Sequence, residues 1–374
     1  MKVAIVHDWL NQRGGAELVL DVLHEMYPDA PVYTSIYAKE LMPQTYGEWN
    51  IRTSFMQHLP LVRKHHQPFL MLYPLAFRTC DLSDFDVVIS NSSGFCHSVS
   101  TPPRTCHINY CLTPPRFLWN LSQYIERERI GGLARQVLPL IVKHLRTWDA
   151  ATAQGVDYFV GISRAVVARI NSFYRREADL IYPPVDTSRF QFSSQVDDYF
   201  LVVSRLVPYK RVDLAVKACS QLGVPLVVVG DGRDRRALQD IGGPGVKFTG
   251  RLPDQQVREL LSRCRAFIFP GEEDFGIAPV EAQAAGRPVI AYASAGALDT
   301  VVEGVTGRFF YEPTPEALAE VIRYFHDADF DSGTIRQHAR RFDTEVFKST
   351  FGKYVKDKVE ELRARQGGRK EKSE

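Results

Sequence analysis

Phe267-Ile268-Phe269-Pro270-Gly271-Glu272-Glu273-Asp274-Phe275-Gly276-Ile277-Ala278-Pro279-Val280-Glu281-Ala282 is the stretch on which the fold is read. An apolar run stops at Pro270-Gly271, an acidic cluster follows, and Phe275-Gly276 leads into a helix-forming segment. Pro279 suits the first turn of that helix, where a missing N–H costs nothing. Gly286, just before Arg287-Pro288, marks its stop. The spacing puts Glu273 in the loop and Glu281 on the first helical turns, both facing the mouth between strand and helix. The N–H groups of Gly276, Ile277 and Ala278 point into the same space. An anion next to hydroxyls, such as a nucleotide phosphate with its sugars, matches that arrangement. Taken alone, two carboxylates near a strand end are more often solvated surface groups, so the rest of the chain has to decide.

Upstream of that stretch the same pattern repeats. Phe200-Leu201-Val202-Val203-Ser204, Leu226-Val227-Val228-Val229-Gly230 and Lys247-Phe248-Thr249-Gly250 read as buried strands. So do Ala266 to Phe269 and Pro288-Val289-Ile290-Ala291. Helical segments, Arg211 to Ser220 and Asp254 to Leu261, lie between them, and the alternation predicts a parallel sheet wound with helices. The first strand runs into Ser204-Arg205-Leu206-Val207-Pro208-Tyr209-Lys210-Arg211. This sets Arg205 and Lys210 at a strand end beside a helix start, where two cations suit a diphosphate. A cationic loop and an acidic loop in one half of the chain raise the odds of a built site.

The N-terminal half carries a second set of strand-like runs. They are Lys2 to Asp8, Val32 to Ile36, Asp86 to Ser90, His107 to Tyr110 and Tyr158 to Ser163. Gly14-Gly15 falls where the first helix, Ala16 to Leu23, begins, and would let backbone N–H groups approach a phosphate. The dinucleotide fingerprint G-x-G-x-x-G is absent. Leu180-Ile181-Tyr182-Pro183-Pro184-Val185-Asp186 ends this half, because a Pro-Pro pair cannot continue a sheet. The expected organisation is an α/β chain of two doubly wound, Rossmann-like domains, 1–185 and 186–343, facing a cleft. A C-terminal helix, 344–366, crosses back, and a charged tail, 367–374, is expected to be disordered.

Length and composition agree. A chain of 374 residues exceeds one ordinary core. Its 45% hydrophobic and 24% charged residues are those of a globular protein. A net charge of +2 argues against a generic nucleic-acid binder. No apolar run approaches the roughly 20 residues needed to span a bilayer. Met1-Lys2-Val3-Ala4-Ile5-Val6 enters a strand directly, with no leader of the signal-peptide kind. The six cysteines show neither CxxC pairing nor metal spacing and read as buried thiols of a reducing cytosol.

With these motifs assembled, the chain resembles retaining glycosyltransferases of the GT-B group 1 (GT4) family. The resemblance rests on the E-x7-E motif Glu273 to Glu281, on Arg205 with Lys210, and on Gly14-Gly15. A finer likeness is to mannosyltransferase-like members of O-antigen and exopolysaccharide assembly. Its marks are His7-Asp8-Trp9-Leu10, Arg13-Gly14-Gly15-Ala16-Glu17, Thr113-Pro114-Pro115-Arg116-Phe117-Leu118-Trp119 and Tyr182-Pro183-Pro184-Val185-Asp186. The resemblance implies that Arg205 and Lys210 hold the donor diphosphate, that Glu281 takes the ribose hydroxyls and that Glu273 bonds the transferred sugar. It also implies that backbone N–H groups of Phe275, Gly276 and Ile277 reach sugar and phosphate. Gly230-Asp231-Gly232 and Gly250-Arg251-Leu252 frame the base. The implied donor is a nucleotide sugar, GDP-mannose, with no cofactor and no metal. The acceptor is a glycan or a lipid-linked one, taken up in the cytoplasm at the inner face of the cell membrane.

Two departures from the family pattern stand out. Cys111-Leu112-Thr113-Pro114 replaces an expected Cys-His-Thr-Pro, and Asp299 stands where glutamate is commoner. His107 has the wrong offset to substitute for the missing histidine. His7, at the end of the first strand, is the candidate polar group, with a structural role as its alternative. Asp84-Phe85-Asp86 and Asp327-Ala328-Asp329 look like D-x-D, but the first enters a strand and the second is expected on a late helix, so neither is read as metal-binding. The segment from His58 to Leu75 and the helix from Leu133 to Arg146 are candidates for anionic membrane contact. In the helix, Arg135, Lys143 and Arg146 share one face, opposite Val137, Ile141 and Leu145; a core-facing helix gives the same pattern, with Pro139 bending or starting it. Rival functions are a nucleotide-sugar epimerase or phosphorylase on the same fold, and a sugar-binding module without turnover.

Overall fold

Runs of β-branched and aliphatic residues with no polar alternation bury both faces of a strand, which suits a parallel sheet covered by helices. The computed structural model of the chain describes residues 1–63, 67–121 and 132–370. It divides the chain into two units, 1–184 with 347–374, and 185–346.

Unit 1 is built on a seven-stranded sheet. Its strands are β1 (Val3–His7), β2 (Val32–Thr34), β3 (Ile51–Thr53), β4 (Val87–Ser92), β5 (Cys106–Cys111), β6 (Tyr158–Gly161) and β7 (Ala178–Leu180). They lie in the order β3-β2-β1-β4-β5-β6-β7, every pair parallel. The core packs Val6, Val88, Phe77, Phe95 and Tyr73 against Val142 and Leu145 of the helix Gly132–Thr152. The last helix, Thr344–Lys370, joins this unit from Phe347 onward, where Phe347 and Phe351 set their edges against Tyr110. The helix runs four residues past the end expected from the sequence, through the Gly367-Gly368 pair; residues 371–374 of the expected disordered tail lie outside the described residues.

Unit 2 has six strands: β8 (Phe200–Val203), β9 (Leu226–Val229), β10 (Val246–Gly250), β11 (Ala266–Phe269), β12 (Val289–Tyr292) and β13 (Gly307–Phe310). Their order is β10-β9-β8-β11-β12-β13, again all parallel. In both sheets the first strand is central and the winding reverses beside it, between β1 and β4 and between β8 and β11. This is the doubly wound arrangement, and its reversal point is where such sheets open a crevice at the strands' carboxyl ends. β3 and β13 are short edge strands that the hydrophobic pattern alone does not reveal.

Two details differ from the sequence reading. Asp327–Asp329 is a 3-10 turn rather than part of a helix, and Asp327 pairs with Arg265 at 3.5 Å. The face expected on the helix Gly132–Thr152 is also rotated: Leu145 is buried, but Val137 is exposed, and Leu140 is 71% exposed. Arg146 is no free surface cation, because its Nε donates to the Leu118 carbonyl and its guanidinium lies over the Trp119 ring. Pro139 sits inside the helix, which continues through it. Arg135 and Lys64 to His66 lie outside the residues whose side chains are described.

A buried polar knot ties unit 1 together. Asp149 accepts hydrogen bonds from Trp119 Nε1 at 3.0 Å and Tyr174 Oη at 2.9 Å. Its other oxygen lies 3.3 Å from His97 Nε2, an ion pair rather than a well-aligned hydrogen bond. Burial works against a charged His97, but the Asp149 carboxylate outweighs it, and the imidazole titrates above its ordinary value. A raised folded-state pKa gives stability that is complete below the unfolded value, about 6.5, and is lost as the pH rises through the folded value. The urea midpoint of the wild type should therefore exceed that of His97→Gln most below pH 6, with the gap narrowing through the alkaline range. A gap that widens with pH would reverse this assignment.

Candidate functional site

The loops that leave the carboxyl ends of β8 and β11 meet at the reversal point of the second sheet. Pro208–Lys210 forms a 3-10 turn after β8, and Pro270 to Gly276 connects β11 to the helix Ile277–Ala284. Their backbones touch at Gly271, where a Cβ would lie 2.8 Å from the carbonyl oxygen of Lys210 and 3.0 Å from that of Tyr209. Only a glycine permits so close an approach. It delivers Lys210 Nζ directly onto Glu273 Oε2, in an ion pair that is largely shielded from solvent. Arg205, exposed at the same edge, donates from Nη2 to the Tyr209 hydroxyl at 3.0 Å. The structure thus brings together Arg205, Lys210 and Glu273, and it adds Tyr209.

Gly276 caps the helix with φ of +92°, in the region where a side chain is strained. The helix start that follows directs its first N–H groups out of the helix, as every helix N-terminus does. Across from it, the loop after β12 is pinned to the acidic stretch by the Gly296 N–H, which donates to the Glu273 carbonyl at 2.9 Å. Ser294 Oγ donates to Glu272 Oε2 at 3.1 Å. Asp299 is buried in the short helix Ala297–Thr300. The Phe275 ring is buried against Phe342, so only its backbone is available to a ligand.

Glu281, the fifth residue of the helix, behaves unlike a surface carboxylate. Burial raises its pKa to about 7, with Arg189 opposing the shift and Asp254 adding to it. Arg189 and Asp254 themselves pair at 3.3 Å. Neither residue stands out in the sequence: Arg189 ends the 3-10 turn Thr187–Arg189, and Asp254 opens the helix Asp254–Arg263. At the ends of β9 and β10 the Gly230 N–H donates to the Gly250 carbonyl at 2.8 Å. The Asp231 carboxylate caps the Gly232 N–H at 2.8 Å and faces Arg235 at 3.5 Å. Arg251 is exposed and Leu252 half-buried beside them.

In unit 1 the sequence-named residues turn out to be answered from within. The Gly14 N–H donates to Glu17 Oε2 at 2.6 Å, so the helix Gly15–Met26 is capped by its own carboxylate. Gly14 therefore does not offer that N–H to a phosphate. The other Glu17 oxygen lies 3.4 Å from His7 Nε2, and Asn91 Nδ2 lies 3.2 Å from His7 Nδ1. His7 is 2% exposed, with both ring nitrogens engaged. Its neighbour Asp8 fills the reversal point of this sheet. One carboxylate oxygen accepts the N–H groups of Ser93 and Gly94 at 2.6 and 2.7 Å, and the other those of Phe95 and Cys96 at 2.7 and 2.8 Å. The glutamate three residues after Gly14 is a capping-box signal that would have found Glu17. Nothing local announces Asp8. Leu112 is buried, and His107 is held in the sheet by Ser90 Oγ at 2.8 Å. Among the described residues no group of three or more His, Cys, Asp or Glu is placed to hold a metal ion.

A family model, glycosyl transferases group 1, matches residues 185–342, nearly the whole of unit 2. Unit 2 is thus similar to the group 1 glycosyl transferases over nearly its whole length. Curated relatives of the chain include alpha-1,3/1,6-mannosyltransferase ALG2 of Homo sapiens, 25% identical over 329 residues, 77% of this chain and 76% of that protein. A GDP-mannose-dependent alpha-mannosyltransferase of Corynebacterium glutamicum is 36% identical over 125 residues, 32% of this chain and 30% of that protein. The structure of Alr3699/HepE from Anabaena in complex with UDP-glucose matches with a TM-score of 0.69 at 17% identity, covering 96% of this chain and 100% of that one. A likeness at that identity establishes the fold, GT-B.

The Glu281 titration yields a direct expectation. Hydroxyl groups donate to a carboxylate better than to a carboxyl, so a ligand held there binds the ionised form. Nucleotide affinity should fall by up to about tenfold between pH 8 and pH 6, the change in ionised fraction across a pKa of about 7. Calorimetry on Glu281→Gln should give a flat profile over that range. A wild-type profile as flat as the variant's would remove Glu281 from the ligand's contacts.

Proposed function

We propose that this chain is a group 1 glycosyltransferase, a retaining, metal-independent enzyme of the GT4 kind. It moves mannose from GDP-mannose to a lipid-linked or oligosaccharide acceptor in cell-surface glycan synthesis. The observation that carries the reading is the Lys210–Glu273 pair, with Arg205 alongside, at the reversal point of the second sheet. That point is where a doubly wound sheet receives a nucleotide. The mannosyltransferase names of the relatives and the GDP-mannose dependence of one of them support the choice of donor.

On this reading the acceptor hydroxyl attacks the anomeric carbon as the bond from that carbon to the β-phosphate oxygen breaks. The acceptor proton passes to the departing phosphate, and attack comes from the same face, which retains configuration. Arg205 and Lys210 meet the charge that grows on the diphosphate, a task that preorganised cations perform well in a shielded site. Glu273 bonds the moving sugar, and Glu281 takes the ribose hydroxyls. The backbone of Phe275, Gly276 and Ile277 meets sugar and phosphate, and Gly230, Asp231, Arg251 and Leu252 border the base. Glu273 is a poor nucleophile while Lys210 neutralises it, which favours front-face attack over a covalent intermediate.

The proposal extends to peripheral contact with an anionic membrane. Large apolar side chains stand out on the two candidate segments, Leu61 at 72% and Leu140 at 71% exposure, with Lys143 exposed nearby on the helix. Such residues suit insertion at a lipid interface. Among the described residues no helix is long and apolar enough to cross a membrane.

Thermal shift with GDP, UDP, dTDP and ADP sugars tests the donor. At 100 times its dissociation constant the true donor should stabilise the fold by about 2.7 kcal/mol. A shift with UDP sugars alone would replace GDP-mannose as the donor. Transfer of labelled sugar should survive EDTA, and should disappear in Lys210→Ala and in Glu273→Ala while each variant keeps its melting behaviour. Full activity in either variant would refute the site. Conversion of the nucleotide sugar without any acceptor would point to an epimerase instead.

A further inference from the structure

Two cations set side by side repel each other, and Arg205 and Lys210 must be held together before any anion arrives. Glu273 neutralises Lys210 but does not account for Arg205. Tyr209 touches both. Its hydroxyl accepts from Arg205 Nη2 at 3.0 Å, and Lys210 Nζ lies 5.3 Å from the centre of its ring. A charged donor makes the first contact stronger than a neutral hydrogen bond, and the electron-rich ring face attracts the second cation. The 3-10 turn Pro208–Lys210 allows one side chain to serve both, since it is closed by the Lys210 N–H on the Val207 carbonyl at 3.0 Å. Tyr209 is half-buried whereas Arg205 is exposed, so the better-packed side chain orders the freer one.

We propose that Tyr209 is a positioning residue for the diphosphate. It holds Arg205 by its hydroxyl and Lys210 by its ring face, in the arrangement that receives the phosphates of a nucleoside diphosphate. The inference rests on the reading of this site as a nucleotide-sugar site. Phenylalanine removes the hydroxyl and keeps the ring, while leucine removes both contacts, so the two substitutions separate the two functions. Nothing in this role involves the nucleoside, which therefore serves as an internal control.

Calorimetric titration of the full-length chain with GDP, UDP, guanosine and uridine tests it. The diphosphate that binds the wild type should bind Tyr209→Phe about fivefold more weakly, the loss of one charge-assisted hydrogen bond at a partly exposed site. Tyr209→Leu should lose more, about 20-fold, as the ring contact goes as well. Affinity for the matching nucleoside should not change, and Tyr209→Phe should add nothing in an Arg205→Ala background. Equal weakening of nucleoside and diphosphate would mean a merely structural role and overturn the proposal. So would full additivity with Arg205→Ala, or wild-type diphosphate affinity in the phenylalanine variant, whose shape change is too small to unfold the turn. Failure of the underlying reading looks different. Unaltered diphosphate binding in Arg205→Ala and Lys210→Ala, or a wild type that binds diphosphate no better than nucleoside, would remove the site itself and this role with it.

Discussion

Backbone N–H groups converge at the carboxyl ends of parallel strands, and buried donors must find acceptors. The two units meet that demand in different ways. Unit 1 supplies its own anions: Asp8 takes four N–H groups at the reversal point, and Glu17 caps the first helix while facing His7. Nothing there is left for a phosphate to satisfy at those atoms. Unit 2 places cations at its reversal point instead, and balances them with one carboxylate on a loop. One sheet is closed electrostatically at that point and the other carries cations there, although both have the same winding order.

The arrangement in unit 2 depends on backbone contact rather than on side-chain reach. Gly271 lets the two loops touch, and Gly276 turns the chain into the helix with a positive φ. The Gly296 N–H then ties the third loop to Glu273 through its carbonyl. Three loops from three strands are thereby tied to one another through their backbones, and the charged side chains are mounted on them.

What was legible in the sequence was mostly local. An apolar run ending in Pro270-Gly271, and a helix start at Gly276, are written in neighbouring residues, and so the strand, turn and helix could be read from them. The short edge strands β3 and β13 lack enough pattern to register. Pairing of Lys210 with Glu273 depends on strands that are distant in sequence lying side by side, and the sequence reading gave the two residues separate tasks instead. Burial is set by the whole fold, which is why the titration of Glu281, the engagement of both His7 nitrogens and the anchoring of Arg146 on Leu118 and Trp119 were not visible beforehand. Tyr209 was passed over for a simpler reason: a tyrosine between two cations carries no motif of its own.

The Lys210–Glu273 pair has a consequence for turnover. An enzyme whose product is a free nucleoside diphosphate has to let that product go, and bare cations would grip it. On the function proposed above, the Glu273 carboxylate paired with Lys210 offsets part of that charge from inside the protein. On that reading the carboxylate is a tethered competitor of the leaving group, always present at high local concentration. The residue proposed to hold the sugar would then also weaken the grip on the product.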